Sequence, residues 1–550
     1  MNFFQEDPNL KQILKKYMDH DFYAWAEQEL YEFGELCGTE IDERAVHTDR
    51  EGQPKLIKYN RLGEELSKVW VNEGYKKTVE QVYGKGIVGY VHKEIPELGR
   101  KGSYVYSMAQ GYLLSHAEPG FYCPVTLTQA TAYLVDKYGD EALKQKYLPH
   151  IISTGDTELY EGATFLTERQ GGSDVGANET KAVSDGNHYR LYGEKYFASN
   201  AGACGVAMVL ARREHAQHGT KGLSLFLVPW FTEDGRLNGI NIRRLKDKLG
   251  VRAVPSAEVV FDGAKGYLVG NPNKGFYYMM EALNLSRICN AVASIGIMKR
   301  ALIEAKSYAL ARITFGHQLI HLPMVKETLG KMTVKQEVET SAVFHLVHSF
   351  DKTNESEHDQ VMNRLLIALL KMESAEQAIH FAHEAIEMHG GNGFIEDFVT
   401  PRLLRDAQVL TVWEGTANIL GLEVLRLMKK YDVHRLFVRS MRERLNKLST
   451  DLSTFLLKKL NQLEADCEYL LTLEEDVQTF NCKRIAKQMT KVFESVVALE
   501  DANEGDTRKR LVAELFFELE WENSYKVDTG LKYVKEYKKL LFLEKDYVKQ

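Results

Sequence analysis

The sequence lacks paired cysteines, long apolar runs and an excess of positive charge, and each absence removes a class of protein. Its six cysteines are scattered through 550 residues without a C-x-x-C pair, which argues against disulfides or structural zinc and predicts reduced thiols in a cytoplasmic protein. No stretch approaches the roughly 18 apolar residues that a membrane-spanning helix needs. The formal net charge of −7 does not favour a nucleic-acid-binding protein, although it is compatible with a local basic patch.

Proline is also scarce, with eleven residues, and low-complexity tracts are absent. Together with a hydrophobic fraction of 44%, this composition predicts full-sized folded cores rather than long disordered regions. The first residues have neither the basic and apolar segments of a secretory signal nor the arginine-rich character of a transit peptide. We therefore expect no cleaved leader.

The period of the hydrophobic pattern changes along the chain and predicts four domains. Helical spacing over residues 1–160 gives way to alternation over residues 161–274, where short strands with polar turns predict a middle antiparallel β-barrel or sandwich. Helical spacing returns over residues 275–430 in four long segments, which predicts a C-terminal four-helix bundle. Residues 431–550 predict an extra helical domain. The fold class is therefore α+β and multidomain, beginning with an N-terminal α-helical domain.

Some individual elements have definite predicted bounds. The predicted helices are 22–36, 104–114, 124–138, 279–310, 325–352, 358–388 and 402–428. Residues 189–197 predict two strands separated by a turn at Gly193. The G-x-G-x-x-G motif at residues 84–89 has no buried strand before it and a proline soon after it, so we interpret it as a loop rather than a dinucleotide site.

The C-terminal extension is electrically neutral, with 22 basic and 22 acidic side chains from residue 430 onward. Apolar side chains at steps of three or four predict one internally packed helix face, formed by Met441, Leu445, Leu448, Leu452 and Leu456. A basic cluster at residues 508–510 has Glu504 and Asp506 beside it. We interpret this cluster as a solvated face.

One carboxylate stands at a break between two helical patterns. The stretch Val-Trp-Glu-Gly-Thr-Ala-Asn-Ile at residues 412–419 places Trp413 before Glu414 and Gly415, which interrupts a helix and lets the carboxylate leave its surface. An isolated glutamate at such a break is usually a solvated charge. A distant second stretch changes this interpretation: Thr-Phe-Leu-Thr-Glu-Arg-Gln-Gly-Gly-Ser-Asp at residues 164–174.

In this order and spacing, the two stretches resemble the catalytic-base and flavin-binding segments of the acyl-CoA dehydrogenase family. Residues 195–200 are similar to the family's strand that packs on the isoalloxazine ring. Residues 312–316 are similar to its R-x-T-F-G segment at the FAD diphosphate, and residues 389–394 to its second glycine-rich flavin contact. Residues 167–174 and 244–250 resemble the alkylation-response branch more closely, and the stretch at residues 413–419 fits it too.

The resemblance implies an FAD enzyme that converts fatty acyl-CoA thioesters to trans-2-enoyl-CoA. Glu414 would remove the proton beside the thioester carbonyl, and flavin N5 would take the hydride from the adjacent carbon. An apolar site beside Trp413 would raise the pKa of this base. The backbone N–H of Glu414 and a ribityl hydroxyl of FAD would stabilise the enolate oxygen. Electrons would pass to an electron-transfer flavoprotein.

The resemblance also implies binding roles for further residues. For FAD these are Thr167, Ser173, Phe197, Ser199, Arg312, Phe315, Gly391, Thr416 and Asn418. For acyl-CoA they are Ser173, Arg287 and Gly415. From the residues alone, the hydroxyls at 167 and 199 could equally satisfy sheet ends, and the arginine at 312 could interact with helix carbonyls. No metal site is expected, because the histidines near residue 383 do not complete H-E-x-x-H.

Other functions stay open at this point. The alkylation-response branch is associated with DNA binding through a basic C-terminal region, and salt-dependent DNA affinity would favour that function. Large acyl-CoA oxidases also carry extra C-terminal helices, and peroxide release in air would favour them. The nitroalkane-oxidising branch uses Asp rather than Glu as its base. By resemblance we expect a homodimer or homotetramer, whereas the acyl chain length is not readable from the sequence.

Overall fold

The computed structural model of the protein describes residues 1–352, 356–505, 507–522 and 530–542. The chain divides into two compact units. The first comprises Met1–Asp7 and Met18–Cys289, and the second comprises Pro8–Tyr17 and Asn290–Gln550. Among the described residues, no helix is both long and apolar enough to cross a membrane.

Helices dominate the N-terminal part of the chain. Four of them begin at an Asp, Asn or Ser whose side chain accepts a hydrogen bond from the backbone N–H three residues later, as at Asp19 and Ser103, because that acceptor satisfies an otherwise unpaired donor. The helices are α1 (Pro8–Tyr17, in the second unit), α2 (His20–Leu36), α3 (Asp42–Arg50), α4 (Glu73–Gly84), α5 (Gly89–His92), α6 (Tyr104–Ala117), α7 (Pro119–Tyr138) and α8 (Glu141–Ile151).

The predicted helices at residues 22–36 and 104–114 are confirmed as α2 and α6. α7 begins five residues earlier than predicted, because Pro119 occupies its first turn and the Glu118 side chain accepts the Gly120 N–H. The stretch at residues 84–89 joins α4 to α5 as a turn, with Gly86 at φ +74°, so its interpretation as a loop is confirmed.

The middle of the first unit is a sheet that closes on itself. Its hydrogen-bonded order is β10-β11-β7-β6-β8-β5, and β9 pairs with both β8 and β11, which completes a barrel. Two hairpins precede it. The strands are β1 (Lys55–Tyr59), β2 (Glu65–Trp70), β3 (Glu94–Ile95), β4 (Arg100–Lys101), β5 (Gly162–Phe165), β6 (Lys181–Asp185), β7 (His188–Ser199), β8 (Val206–Arg213), β9 (Leu223–Pro229), β10 (Ile240–Leu245) and β11 (Ser256–Leu268).

Two details of the barrel differ from the sequence prediction. β8 pairs in parallel with β5 and β6, so the sheet is mixed, whereas its other pairings are antiparallel as expected. The predicted turn at Gly193 is wrong, because β7 runs straight through this residue. A Cβ at Gly193 would lie 2.7 Å from the Thr180 backbone, so glycine here permits a close approach rather than a turn.

The second unit begins as the predicted bundle of long helices. The predicted helices at 279–310, 325–352 and 358–388 correspond to α9, α10 and α11, and the one at 402–428 is divided into α12 and α13. These elements are α9 (Gly275–Ala311, with residues up to Cys289 in the first unit), the hairpin β12 (Ile313–Thr314) and β13 (His317–Gln318), α10 (Pro323–Asp351), α11 (Glu357–His389), α12 (Thr400–Leu410) and α13 (Ala417–Tyr431).

The C-terminal extension is helical and packs on the bundle within the second unit. The predicted single apolar face is wrong in one respect: α14 ends at Leu445, and α15 begins after a capping box formed by Thr450 and Ser453. The helices are α14 (Val433–Leu445), α15 (Asp451–Thr472), α16 (Glu475–Glu504), α17 (Thr507–Trp521), α18 (Leu531–Lys535) and α19 (Tyr537–Leu541). The helical, β and helical regions confirm the predicted fold class, and the bounds of four domains stay a prediction.

The interpretation of residues 508–510 as a solvated face is also wrong. Arg508 donates to both carboxylate oxygens of Glu337 on α10, and the buried Lys509 donates to the same carboxylate at 3.3 Å. Only Arg510 of the three is exposed. Sequence proximity suggested Glu504 and Asp506 as partners, but Glu504 pairs with Lys16 and residue 506 lies outside the described residues. The partner is a carboxylate about 170 residues away, which the local sequence does not indicate.

Candidate active site

Glu168 anchors the turn that follows β5. Its carboxylate accepts hydrogen bonds from the Thr180 hydroxyl (2.6 Å), from the backbone N–H groups of Glu179 (2.6 Å) and Thr180 (3.1 Å), and from the Lys195 ammonium (2.8 Å). Glu168 and Lys195 are both buried. Burial alone would raise the pKa of Glu168, but the Lys195 charge and the hydrogen bonds hold it below its ordinary value. The turn is thereby fixed against β7.

This anchoring brings Thr167 next to the C-terminal end of β7. The Thr167 carbonyl accepts the Tyr196 N–H at 2.9 Å. Phe197 follows with 54% of its surface exposed, and the half-buried Ser199 lies with its Oγ 3.1 Å from Ser256 Oγ. Three of the predicted FAD-binding residues, at 167, 197 and 199, therefore share one small region of the first unit.

The glycines after Glu168 leave room for the Thr167 hydroxyl. Gly171 has φ +118°, and a Cβ at Gly172 would lie 2.7 Å from Thr167 Oγ1, so an alanine there would displace this hydroxyl. Ser173, the next residue, is exposed. Arg287 of α9 is instead buried, and its guanidinium donates to Asn284 Oδ1 at 3.0 Å.

In the second unit, the end of α9 lies beside the glycine-rich stretch after α11. The Tyr308 ring packs 4.2 Å from the His389 ring, measured between centroids, and the Tyr308 hydroxyl accepts the Asn392 side-chain N–H at 3.1 Å. One turn after Tyr308 comes the exposed Arg312. Gly391 is exposed and has open space where a Cβ would project. The structure therefore brings the predicted diphosphate-binding arginine and this glycine stretch to one end of the bundle.

Large apolar side chains are exposed at the same end of the bundle. Phe315, at φ +51° in the turn between β12 and β13, is 89% exposed, and Phe394 is 82% exposed.

Glu414 stands in a break between α12 and α13. α12 ends at Leu410, the Val412 and Trp413 N–H groups still bond to the Val409 carbonyl, and α13 begins at Ala417. Between them Glu414 has φ +59° and Gly415 has φ +103°. A left-handed conformation is uncommon for glutamate and costs on the order of 1–3 kcal/mol.

The residues at and just after the break differ in their exposure to solvent. Trp413, Glu414 and Gly415 are half-buried, whereas Thr416, which precedes the first residue of α13, and Asn418 are exposed. The predicted interruption of the helix at Glu414 is thus confirmed, and its role as the base stays a prediction.

Three buried charged residues in these regions had no role assigned from the sequence. Two of them, Glu168 and Lys195, lie inside the motifs quoted above. Lys371 of α11 donates to the Gly415 carbonyl at 2.7 Å. One available signal was its position directly after the apolar run at residues 365–370, because a lysine within a buried helical stretch needs a partner.

Residues of each unit suit parts of FAD. In the first unit, the half-buried Thr167 and Ser199 carry hydroxyls in the same region as the exposed Phe197 ring, and a flavin needs hydrogen-bonding partners along its edge and apolar contact on its face. Arg312 offers a cation suited to a diphosphate. The open space at Gly391 allows close backbone approach.

Comparison with known proteins places the chain in a family. The acyl-CoA dehydrogenase middle domain matches residues 163–264, and the acyl-CoA dehydrogenase C-terminal domain matches residues 273–429. The adaptive response protein AidB N-terminal domain matches residues 1–156. Acyl-CoA dehydrogenase family member 11 of Caenorhabditis elegans is 33% identical over 440 residues, covering 78% of this chain and 70% of that protein.

The chain belongs to the acyl-CoA dehydrogenase family. It resembles the branch that includes the putative acyl-CoA dehydrogenase AidB of Escherichia coli K12, which is 30% identical over 417 residues, covering 74% of this chain and 75% of the relative. The crystal structure of Caenorhabditis elegans ACDH-11 in complex with C11-CoA superposes with a TM-score of 0.86 at 28% identity, covering 94% of this chain and 90% of that one. With this coverage, the similarity includes most of the C-terminal extension.

Family membership decides the class of chemistry. The protein is an acyl-CoA dehydrogenase, an oxidoreductase of CH–CH bonds, and FAD is the cofactor of its family. The resemblance to this family, which five segments of the sequence indicate, is therefore confirmed.

Proposed function

We propose that the chain dehydrogenates fatty acyl-CoA thioesters between the α and β carbons, with Glu414 as the base. The observation that carries this proposal is the break at residues 413–416, which holds a half-buried glutamate in a left-handed conformation beside Trp413. Such strain persists where the surrounding structure over-determines it, and it is common at active sites.

The chain's own residues would act as follows. The Glu414 carboxylate takes the α-proton, the α carbon–hydrogen electrons form the new C=C bond, and the β-hydrogen leaves with its electron pair. FAD, when bound, supplies the hydride acceptor. The Glu414 N–H donates to the thioester oxygen as negative charge develops there. By resemblance, Gly415, Ser173 and Arg287 contact acyl-CoA.

By resemblance, we assign FAD-binding roles to nine residues. Thr167 and Ser199 donate to flavin edge atoms, and the Phe197 ring packs on the flavin. Arg312 pairs with diphosphate, as a fixed cation favours. The remaining assignments, Ser173, Phe315, Gly391, Thr416 and Asn418, follow from the resemblance, and all but Ser173 belong to the second unit.

The test is an anaerobic titration of the purified holoenzyme with saturated acyl-CoAs from butyryl-CoA to palmitoyl-CoA. We expect one chain-length class to bleach the flavin band. The ACDH-11 structure contains C11-CoA, which supports a medium to long acyl chain. In Glu414→Gln, flavin reduction should slow by roughly 10²- to 10⁴-fold with FAD retained, as for loss of a general base. Glu357→Gln, an exposed change in the first turn of α11, should behave as wild type. A yellow wild-type protein that no acyl-CoA bleaches would refute the proposal.

We further propose an electron-transfer flavoprotein as electron acceptor and a homodimer or homotetramer as the working form. The exposed aromatic rings at residues 315 and 394 support assembly or ligand binding at that end of the bundle. Light scattering of the holoenzyme measures the oligomeric state.

The electron acceptor is tested separately. Rapid reoxidation of the flavin in air, with stoichiometric release of peroxide, would assign an acyl-CoA oxidase rather than a dehydrogenase that uses an electron-transfer flavoprotein.

The engaged basic cluster opposes DNA association as the main function. Arg508 and Lys509 are directed to Glu337 and to backbone carbonyls of α19, so two of the three charges at residues 508–510 are not presented to phosphate. Affinity for duplex DNA that is strong at physiological salt and falls steeply with salt concentration would overturn this conclusion.

A further inference from the structure

Lys371 lies where an unpaired charge would be very unfavourable. It sits near the middle of α11, 1% exposed, directly after six apolar residues. Removing an ammonium group from water is strongly unfavourable unless it is paired or hydrogen-bonded. A lysine kept at such a position therefore needs a partner whose interaction offsets that cost.

One partner is the break that carries Glu414. The Lys371 ammonium donates to the Gly415 carbonyl at 2.7 Å. This distance is at the short end of the usual range for charge-assisted hydrogen bonds. Glu414 precedes this residue in the chain, and both have positive φ. Glycine has many accessible conformations, so a fixed charge on its carbonyl selects one orientation of the Gly415–Thr416 peptide.

We propose that Lys371 is a positioning residue for the catalytic base: its buried ammonium holds the Gly415 carbonyl and thereby fixes the backbone conformation from which the Glu414 carboxylate projects. The inference rests on the proposed function of Glu414. Two helices end and begin at this break. Lys371 restrains the Gly415–Thr416 peptide from α11, a neighbouring helix of the same unit.

The chain offers a matched control on the same helix. Arg364 lies seven residues before Lys371, two turns away on the same side of α11, and donates to Glu423 of α13 at 3.1 Å. It connects α11 to α13 itself, because its partner lies beyond the break. Arg364→Gln therefore removes a nearby ion pair made by the same helix and leaves the Gly415 carbonyl untouched.

The experiment compares Lys371→Met with Arg364→Gln in the FAD-loaded, full-length protein. Stopped-flow measures flavin reduction by a saturating acyl-CoA, and hydrogen–deuterium exchange measures amide protection of residues 411–417. For Lys371→Met we expect roughly 100-fold slower reduction, because misplacing a catalytic group by about 1 Å costs that much. The affinity for acyl-CoA, read from the binding-induced shift of the flavin spectrum, should change less than about threefold. Exchange at residues 411–417 should rise by about tenfold.

For Arg364→Gln we expect both the reduction rate and the exchange at residues 411–417 to stay within about twofold of wild type. If both variants change exchange equally along α11 and α13, Lys371 is a packing residue and the proposal is wrong. Wild-type reduction and wild-type exchange in Lys371→Met would also overturn it.

Two outcomes of this experiment, loss of activity in the wild type and failure of Lys371→Met to fold, call for a further measurement or variant. If no acyl-CoA reduces even the wild-type flavin, the proposed function fails, while exchange at residues 411–417 still decides whether Lys371 holds the break. If Lys371→Met does not accumulate as folded protein, Lys371→Gln replaces it, since its shorter amide keeps polarity but does not reach as far. Wild-type rate and exchange in Lys371→Gln would likewise contradict the proposal.

Discussion

Two buried lysines, one in each unit, are stabilised in different ways. Lys195 of β7 pairs with a single carboxylate, Glu168, whose remaining capacity is filled by Thr180 and the Glu179 N–H. Lys335 of α10 instead faces several carboxylates from three helices. Its ammonium lies 2.9 Å from Glu494 of α16, 3.1 Å from Glu373 of α11 and 3.3 Å from Glu520 of α17, with Glu339 of α10 also buried nearby.

The difference is one of charge balance. One lysine and one glutamate are neutral as a pair, and the pKa of Glu168 stays below its ordinary value. One lysine among four glutamates leaves excess negative charge, and the excess is relieved by protonation. Burial raises the pKa of Glu494 to about 8 and that of Glu339 well above its ordinary value, although Lys335 opposes both shifts. Near neutral pH, Glu168 therefore stays charged, whereas Glu494 changes its protonation.

The first and largest expected effect is in the balanced pair. Lys195→Met leaves Glu168 charged and buried without its counter-ion, which costs about 3–5 kcal/mol of unfolding free energy. Urea unfolding followed by circular dichroism at pH 7 measures this loss, and FAD content should fall with it because the turn at Thr167 is released. The double variant Glu168→Gln/Lys195→Met should recover part of the stability. A loss below about 1 kcal/mol would show that the pair does not anchor the turn.

The unbalanced cluster should lose less when its lysine is removed. In Lys335→Met the carboxyl groups can take up protons, so we expect a cost of about 1–3 kcal/mol at pH 8 and a smaller one at pH 6. Lys195→Met should show less relief over this range, because hydrogen bonds from Thr180 and the Glu179 N–H still favour the charged form of Glu168. Urea unfolding of both variants at the two pH values makes the comparison, and equal pH dependence in the two would contradict it.

Glu494 should make stability fall as pH rises. Its pKa is about 8 in the folded protein and about 4.5 when exposed, so between these values the folded state binds the extra proton. The free energy of unfolding therefore decreases with pH across this window, by at most about 1.4 kcal/mol per pH unit. Glu494→Gln keeps the side chain neutral, so it should flatten this slope and be more stable than wild type near pH 8. An unchanged slope in the pH dependence of urea unfolding would assign the proton elsewhere.

The smallest effect is expected at an exposed pair. Arg435 donates to Glu468 and helps to lower the pKa of that carboxyl to about 2. Both side chains are well exposed, so water and salt screen the interaction, and Arg435→Ala should leave the unfolding free energy almost unchanged. Thermal unfolding at low and high salt tests this expectation. A cost near that of Lys195→Met would mean that burial does not explain the comparison.

The order of elements could be predicted because it depends on local periodicity. The change from spacing near 3.6 to spacing of 2, and back, located the helical regions and the barrel. Glu414 could be recognised because its own stretch and the distant one at residues 164–174 together resemble two segments of the family. The turn predicted at Gly193 is wrong because the local sequence shows only that glycine is typical of turns. In β7 this glycine instead permits the close approach of Thr180, which is distant in sequence.

The sequence by itself determined the helical and strand periods, the flavin-segment motifs, the family and the glutamate at the helix break. Only the tertiary structure decided which charges meet. Lys195 and Glu168 are 27 residues apart, Lys371 and Gly415 are 44 apart, and Arg508 and Glu337 are 171 apart. Periodicity reports the burial of a side chain on its own helix or strand. The partner of a buried charge is set by how separate elements pack, and the desolvation of each charge makes that pairing obligatory.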